Sequence, residues 1–275
     1  MPELPEVETI VRRLRPALVG RRIERVQVHW PRTIASPTAA TFARRVRAQT
    51  IESLDRRAKY LLFNLSGGDT VITHLRMTGD FSFGPVGAKP GSHLRVRFAL
   101  DDGQALLFTD PRKFGRIWLA AEPEQVLGHL GPEPLSRRFT PRLLAEILKD
   151  RPTRIKPFLL NQERIAGLGN IYADEALHYA ALHPSRAAGS LRPQEIKQLH
   201  AGIQFVLRKG IRLGGSTLYD GRYRDPFGQA GRMQEEFAVY HDPRREQKLC
   251  ARCGTPIVLQ VIAQRSAHFG PGCQR

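Results

Sequence analysis

The stretch KYLLFNLSGGDTVITHL, residues 59–75, decides the fold of the N-terminal half of the chain. Two short runs rich in Leu, Ile, Val and Phe flank Ser66-Gly67-Gly68-Asp69, whose residue types are typical of a tight turn. A parallel pair of strands would need a much longer crossover between them. The pattern therefore predicts two antiparallel strands joined as a hairpin.

Similar apolar runs continue on both sides of this hairpin. The strands that we expect are residues 23–28, 59–65, 70–75, 93–100, 105–109 and 116–120. A helix comes before them, because apolar residues recur at helical spacing from Pro5 to Gly20. Pro5 suits the first helical turn, where Glu6 and Glu8 complement the helix dipole. We expect a β-sandwich or a flattened barrel with a leading helix.

The second half of the chain changes to helical periodicity after the linker-like residues 131–136. The helices that we expect are residues 140–149, 155–161, 171–180 and 193–213. The fold class is therefore α+β, with an antiparallel β-sandwich, a helical domain and a C-terminal β-hairpin that resembles a zinc ribbon. The expected domains are residues 1–131, 132–238 and 239–275.

The charge of the chain points to a polyanionic partner. Its 275 residues contain 43 Lys and Arg against 26 Asp and Glu, a formal net charge of +17. Such an excess is most often used to bind nucleic acid, although a generally basic proteome would give the same count. No apolar run reaches the length of a membrane span or a signal peptide, so we expect a cytoplasmic protein without a membrane partner.

The N-terminus offers a nucleophile. Methionine is normally removed before a small residue, so the mature chain is expected to begin at Pro2 with a secondary amine. An α-amino group titrates near ~8, and a secondary amine that attacks an aldehyde-level carbon forms an iminium ion. Glu3 is within reach as a general acid. The alternative is purely structural, with Pro5 and the acids only starting a helix.

The C-terminal segment contains an incomplete metal motif. Cys250 and Cys253 form a Cys-x-x-Cys pair, and Cys273 is the third and last cysteine of the chain. Two such pairs would make a tetrahedral zinc ribbon, but Gly270 stands where the second pair needs its first cysteine. The fourth ligand is left open between His268, a more distant histidine such as His241, and water.

Seven motifs in order carry a family resemblance. They are MPELPEVET at residue 1, RRAKYLL at 56, HLRMTG at 74, DPRKFG at 110, IKPFLLNQERIAGLGNIYADEAL at 155, GGSTL at 214 and CARCGTPI at 250. In these motifs the chain resembles the bacterial formamidopyrimidine-DNA glycosylases over essentially its full length.

The resemblance implies a bifunctional repair enzyme that flips out and excises oxidised purines and then nicks the abasic strand by β,δ-elimination. It implies a helix-two-turn-helix domain, a zinc finger, no organic cofactor and a monomer acting on double-stranded DNA with oxidised bases or abasic sites, at the bacterial nucleoid. Two alternatives stay open. One is an endonuclease VIII-like glycosylase for oxidised pyrimidines, and the other is a non-enzymatic nucleic-acid-binding paralogue.

The resemblance also assigns roles to residues. The catalytic residues would be Pro2, Glu3, Lys59 for β-elimination and Arg265 for the δ step. The residues that fill the space of the flipped nucleotide would be Met77, Arg112 and Phe114. The residues that hold or approach the DNA backbone would be His74, His93, Lys156 and Asn170. The zinc ligands would be Cys250, Cys253 and Cys273, with His268 the first candidate for the fourth.

The chain departs from the family pattern at four places. Gly270 replaces the third of four finger cysteines, and the segment 239–250 before the finger is longer than usual. The loop 220–232 is long and rich in arginine, which puts the substrate preference in question because loops there cover the flipped base in the family. Asn161 stands where an aspartate is common.

Overall fold

The computed structural model describes residues 1–88, 91–219, 221, 223–242, 244–245 and 247–275. The chain forms two compact units, one of residues 1–129 and 214–231 and the other of residues 130–213 and 232–275. The α+β class expected from the sequence is confirmed, whereas the division into three domains stays a prediction. Parts of two departures from the family pattern lie outside the described residues: Asp220 and Arg222 in the arginine-rich loop, and Pro243 and Glu246 before the finger.

The first unit is a sandwich of two sheets. Its elements are α1 (Leu4–Leu18), β1 (Ile23–Val28), β2 (Ile34–Ser36), α2 (Ala39–Val46), β3 (Ile51–Arg57), β4 (Tyr60–Leu65), β5 (Thr70–His74), β6 (Asp80–Pro85), β7 (Leu94–Leu100), β8 (Gln104–Thr109), β9 (Arg116–Ala120) and α3 (Glu124–Leu127). One sheet has the order β1-β7-β8-β6 and the other β2-β9-β5-β4-β3. Neighbouring strands are antiparallel except for β2 and β9, which are parallel.

Both sheets and α1 share one apolar core. The apolar face of α1, from Val7 to Leu18, is fully buried and packs on β3 and β4. Between the sheets the ring of Phe81 lies 5.8 Å from that of Phe63 and 5.2 Å from that of Phe108. Aromatic pairs at such distances add to the free energy gained from area burial.

The register of the five-stranded sheet brings several loops to one edge. Tyr60 at the start of β4 pairs with Arg57 at the end of β3 and with His74 at the end of β5. His74 in turn pairs with Arg116 at the start of β9. The turn before β4, the loop after β5 and the loop before β9 therefore emerge side by side at one end of this sheet.

The second unit consists of helices and one hairpin. Its elements are α4 (Pro141–Leu148), α5 (Ile155–Leu160), α6 (Asn170–Tyr179), α7 (Pro193–Arg212), β10 (Val258–Ile262) and β11 (Arg265–Phe269). Glycines let α7 approach α6 closely, since a Cβ at Gly202 would lie 2.9 Å from the carbonyl oxygen of Ala176. A Cβ at Gly210 would lie 2.5 Å from the hydroxyl of Tyr172. Among the described residues, none of the helices is long and apolar enough to cross a membrane.

Candidate active site and nucleic-acid interface

The first turn of α1 holds the N-terminal residues in place. The backbone N–H of Glu3 donates to Oε2 of Glu6 over 2.8 Å, which closes the start of the helix. Glu3 is 3% exposed, and Pro2 before it is half-buried. Pro2 and Glu3 therefore lie together at a rigid helix start, and their chemical roles stay a prediction.

Glu6 also binds the turn that begins the segment 214–231. Its Oε1 accepts hydrogen bonds from the backbone N–H of Ser216 over 2.8 Å and from the Ser216 hydroxyl over 3.1 Å. Gly215 has a φ of +80°, and a Cβ there would lie 2.9 Å from Cγ of Glu6. Only glycine lets the backbone come this close in that conformation. Glu6 is thus a positioning residue as well as a partner of the helix dipole.

Lys59 lies at the tip of the β3–β4 hairpin. Because Arg57 pairs with Tyr60, Ala58 and Lys59 form a two-residue turn, in which Ala58 takes a left-handed φ of 54°. Lys59 is 4% exposed. The turn thus presents a lysine that is largely shielded from solvent, at the edge where the neighbouring loops emerge.

A buried arginine joins this turn to α1. Nε of Arg56 donates to Oε2 of Glu8 over 2.9 Å, and Nη1 of Arg56 donates to the carbonyl oxygen of Ala58 over 3.0 Å. Burial alone would raise the pKa of Glu8, but hydrogen bonds from Arg12 and Arg56 outweigh it and lower that pKa. The ionised Glu8 therefore holds Arg56. Arg56 in turn holds the backbone of Ala58, the residue before Lys59.

His74 is held as a neutral hydrogen-bond donor. Its Nδ1 accepts the backbone N–H of Arg76 over 3.0 Å, which leaves Nε2 to carry the proton of the neutral ring. Burial, followed by the charges of Arg76 and Lys59, lowers the pKa of His74 to about 3. The ring also packs against that of Tyr60 at 4.6 Å. At neutral pH His74 can thus donate an N–H without adding a charge.

Asp110 links the two loops that contain Met77, Arg112 and Phe114. It is 1% exposed. Its Oδ1 accepts hydrogen bonds from the Thr78 hydroxyl over 2.5 Å and from the backbone N–H of Arg112 over 3.2 Å. Its Oδ2 accepts the backbone N–H of Gly115 over 2.7 Å. One carboxylate thus holds the loop after β5 and the loop before β9 together.

The candidate filler side chains project from these loops. Met77 is 43% exposed and Phe114 is 45% exposed, so neither belongs to the core. The guanidinium of Arg112 lies 4.6 Å from the centre of the Phe114 ring. Arg76 and Lys113 have left-handed φ values of 56° and 61°, a strained conformation that is frequent at functional sites. These side chains are thus exposed on neighbouring loops, and their insertion into a duplex stays a prediction.

His93 lies at the same end of the first unit. Its side chain is exposed just before β7, and its backbone carbonyl accepts the N–H of Asp110 over 2.9 Å. His93 and the Asp110 loops are therefore neighbours, although no role for the His93 ring is tested by the structure.

Lys156 lies in a buried ion pair of the second unit. Its side chain is fully buried, and its role at the DNA backbone stays a prediction. Its Nζ donates to Oδ1 of Asp174 over 2.5 Å and to the carbonyl oxygen of Ser266. Oδ2 of Asp174 accepts the backbone N–H and Nδ1 of His268, over 3.0 and 3.1 Å. In this structure Lys156 holds β11 against α6.

Asn170 and Arg265 lie beside this buried pair. Nδ2 of Asn170 donates to Oγ of Ser266 over 3.1 Å, and its buried Oδ1 has no partner among the described residues. Arg265 is exposed at the tip of the hairpin, directly after Ala263 and Gln264, which have left-handed φ values of 46° and 62°. The turn thus presents the arginine to solvent, and its role stays a prediction.

A histidine that was not expected from the sequence, His178, lies beside the cysteines. Sγ of Cys250 lies 3.6 Å from Sγ of Cys273 and 3.3 Å from Nε2 of His178. Cys253 packs against the same cluster as Cys273. Hydrogen bonds with Thr255, and then with the thiols of Cys250 and Cys273, lower the pKa of Cys253 to about 7. Thiolates and imidazole nitrogens are the donors that zinc prefers, so the cluster fits this ion.

His268, the first candidate for the fourth ligand, does not lie among these donors. Nδ1 of His268 bonds to Asp174, and among the described residues the group of donors that converge for a metal contains His178 instead. A signal was present in the sequence: Asn170, Asp174 and His178 recur every four residues and so share one face of a helix.

Two family models match the chain. The model of the formamidopyrimidine-DNA glycosylase N-terminal domain matches residues 1–117, and that of the formamidopyrimidine-DNA glycosylase H2TH domain matches residues 130–221. The chain belongs to the formamidopyrimidine-DNA glycosylase family. The endonuclease VIII-like alternative is not favoured, because both models and the relatives below are formamidopyrimidine-DNA glycosylases.

Curated members of the family align along the whole chain. The formamidopyrimidine-DNA glycosylase of Symbiobacterium thermophilum is 48% identical, covering 100% of this chain and 89% of that protein. That of Protochlamydia amoebophila is 43% identical, with 100% of both covered. Among solved structures, a mutant of Lactococcus lactis Fpg in complex with Fapy-dG-containing DNA has a TM-score of 0.92 and 36% identity, over 100% of both chains. A complex of the same Fpg with abasic-site DNA has a TM-score of 0.92 and 34% identity, again over 100% of both chains.

Proposed function

We propose that this protein excises oxidised purines, including 8-oxoguanine and formamidopyrimidines, from double-stranded DNA and then cleaves the abasic strand. One observation carries the proposal: the chain agrees over its full length with a solved relative that holds Fapy-dG-containing DNA. The second solved relative holds an abasic site, which is the product of base excision. Since damaged DNA is its substrate, we infer that the protein acts at the bacterial nucleoid.

The N-terminal amine of Pro2 begins the chemistry once Met1 has been removed. It attacks C1′ of the flipped nucleotide, so that a C–N bond forms while the bond from C1′ to the damaged base breaks. Glu3, buried beside it, transfers the proton that the sugar or the leaving base requires. The C1′–O4′ bond of the sugar then breaks as a proton is supplied to O4′, and the open-chain iminium ion that results withdraws electrons from C2′ and makes its protons removable.

Two cations serve the elimination steps. Loss of a C2′ proton expels the 3′ phosphate in β-elimination, and Lys59 at the β3–β4 turn is the candidate for this step. Loss of a C4′ proton then expels the 5′ phosphate in the δ step, which we assign to the exposed Arg265. His74 donates its Nε2–H to a phosphate oxygen without competing for protons, because its pKa is about 3.

The loops held by Asp110 open the duplex. Flipping a nucleotide costs a few kcal/mol of stacking and pairing, and side chains must fill the space that it leaves. Phe114 and Met77 are exposed apolar side chains suited to insertion, and Arg112 can hydrogen-bond the unpaired base. The net charge of +17 supplies the general attraction to phosphates.

The same proposal includes a structural zinc ion. Cys250, Cys253 and Cys273 would hold such an ion with three thiolates from the C-terminal segment. When bound, it stabilises the fold around the hairpin that contains Arg265 and takes no part in the chemical steps.

An excision assay tests the reaction class. Duplexes with 8-oxoguanine and with an oxidised pyrimidine are incubated side by side with wild type, Glu3→Gln and the surface control Asp101→Asn. We expect much faster release of 8-oxoguanine than of the pyrimidine, little release by Glu3→Gln and unchanged release by Asp101→Asn. Faster release of the pyrimidine, or release of neither base, would overturn the proposal.

A further inference from the structure

The backbone at Gly270 points into the thiol cluster. An ideal Cβ at this position would lie 3.0 Å from Sγ of Cys250 and 3.4 Å from Sγ of Cys273. A cysteine there would therefore direct its thiol at the same point as the other two. The chain contains only three cysteines, so a protomer cannot supply a fourth thiolate.

His178 lies next to the same two thiols. In a tetrahedral zinc site with bonds of about 2.3 Å to sulfur and about 2.0 Å to nitrogen, neighbouring donors lie about 3.8 Å (S to S) and about 3.5 Å (S to N) apart. The observed separations are 3.6 Å from Cys250 to Cys273 and 3.3 Å from Cys250 to His178. His178 is 6% exposed. Cys250 is thus already close to both Cys273 and His178 at the spacing that one ion would impose.

The other histidines considered from the sequence are engaged elsewhere. His268 bonds to Asp174 through Nδ1, and Nδ1 of His241 lies 2.9 Å from the carbonyl oxygen of Val239. Of the histidines that the structure describes, only His178 lies within 4.8 Å of the thiols of both Cys250 and Cys273.

We propose that His178 takes the place of the missing cysteine and completes a Cys3His zinc site with Cys250, Cys253 and Cys273. This inference rests on the zinc binding included in the proposed function. A zinc ion in this site would also link two parts of the second unit, because His178 belongs to α6 and the cysteines belong to the C-terminal segment. Zinc then ties that segment to the helix whose Asn170 and Asp174 already hold β11.

X-ray absorption spectroscopy of the purified wild-type protein tests the ligand set without any substitution. We expect one zinc per chain, with three sulfur neighbours at about 2.3 Å and one nitrogen at about 2.0 Å that shows the multiple scattering of an imidazole ring. Three sulfurs with an oxygen and no imidazole signal would overturn the role of His178 while leaving zinc binding intact. Absence of zinc after purification with zinc supplied would overturn both.

Variants test the exchange of ligands by chelator competition. His178→Phe keeps the size of the side chain and should weaken zinc affinity at least roughly tenfold, since even second-shell losses cost about that much. Adding Gly270→Cys to His178→Phe should restore the affinity by rebuilding a four-cysteine site. The control His183→Phe changes another histidine of the same unit, whose ring packs against Phe269, and should leave affinity unchanged. Unchanged affinity in His178→Phe would contradict the proposal.

Discussion

Replacing Asp110 with asparagine should disorder the loops that contain Arg112 and Phe114. The carboxylate is buried and accepts three hydrogen bonds, from the Thr78 hydroxyl and from the backbone N–H groups of Arg112 and Gly115. Asparagine has the same shape but only one acceptor oxygen. Whichever way the amide is oriented, its NH₂ group faces at least one donor that the carboxylate had satisfied.

The loss of stability in Asp110→Asn follows from these three hydrogen bonds. A buried N–H left without a partner costs about 1–3 kcal/mol, and each remaining bond loses roughly 1 kcal/mol when its acceptor is no longer charged. With partial relaxation of the loops, Asp110→Asn should lower the free energy of unfolding of the first unit by about 2–4 kcal/mol. Asp101→Asn, in the exposed turn between β7 and β8, should stay within about 0.5 kcal/mol of wild type.

Urea unfolding followed by tryptophan fluorescence measures this change. Trp30 and Trp118 are the only tryptophans, and both lie in the first unit, so the signal reports this unit alone. Duplex DNA with 2-aminopurine beside the lesion gives a second readout, because insertion of side chains unstacks the base and brightens it. A loss of stability below about 1 kcal/mol, with normal brightening, would refute the anchoring role of Asp110.

The remaining predictions concern pH, a buried ion pair and the elimination steps. Burial, reinforced by the charge of Asp225, raises the pKa of Asp80 from 3.8 to about 7, so this group lowers stability as pH rises from about 4 to 7, by at most about 4 kcal/mol. His74 acts in the opposite sense. Folding lowers the pKa of His74 from 6.5 to about 3, so the protein loses stability as the pH falls from about 6.5 to about 3. Urea titrations at several pH values test both effects. Compared with wild type, the stability of Asp80→Asn should rise more steeply with pH, and that of His74→Gln should rise less steeply. Stability profiles that run parallel to that of wild type would argue against both pKa shifts. Lys156→Met leaves the Asp174 carboxylate buried without its cation and should cost about 3–5 kcal/mol, seen as faster proteolysis at the β10–β11 hairpin, whereas wild-type resistance would contradict this. Lys59→Ala should slow cleavage at a preformed abasic site, and Arg265→Ala should increase the fraction of β-product; unchanged product ratios in gel assays would count against both roles.

Strong local patterns allowed most of the fold to be predicted. The hairpin of β4 and β5 and the helix α7 appear where apolar periodicity placed them. Neither β3 nor β6 has a clear signal in the sequence. The strand β3, IESLDRR, is polar because it lies at the edge of its sheet, and β6, DFSFGP, contains a glycine and a proline that normally argue against a strand. Both strands depend on tertiary pairing more than on local preference.

The residues of the candidate site could be predicted only where they belong to motifs that resemble those of the family. Resemblance located Lys59 and the exposed Phe114, but it gave no warning that Lys156 is buried against Asp174. Asp110 and Glu6 act through hydrogen bonds to distant loops, and a sequence does not display such contacts. The spacing of His178 from Asp174 places both residues on one face of α6. Without the fold, nothing links that face to the cysteines.

Borohydride trapping tests the proposed chemistry most directly. The purified protein is mixed with an 8-oxoguanine duplex and reduced, and the cross-linked peptide is identified by mass spectrometry. We predict a covalent adduct at the nitrogen of Pro2 in the chain that has lost Met1. We also predict no adduct with Pro2→Glu, in which a large second residue retains the methionine, although duplex binding persists through the many phosphate contacts. An adduct at Lys59, or full cross-linking by the form that retains Met1, would contradict the assignment of Pro2 as the nucleophile.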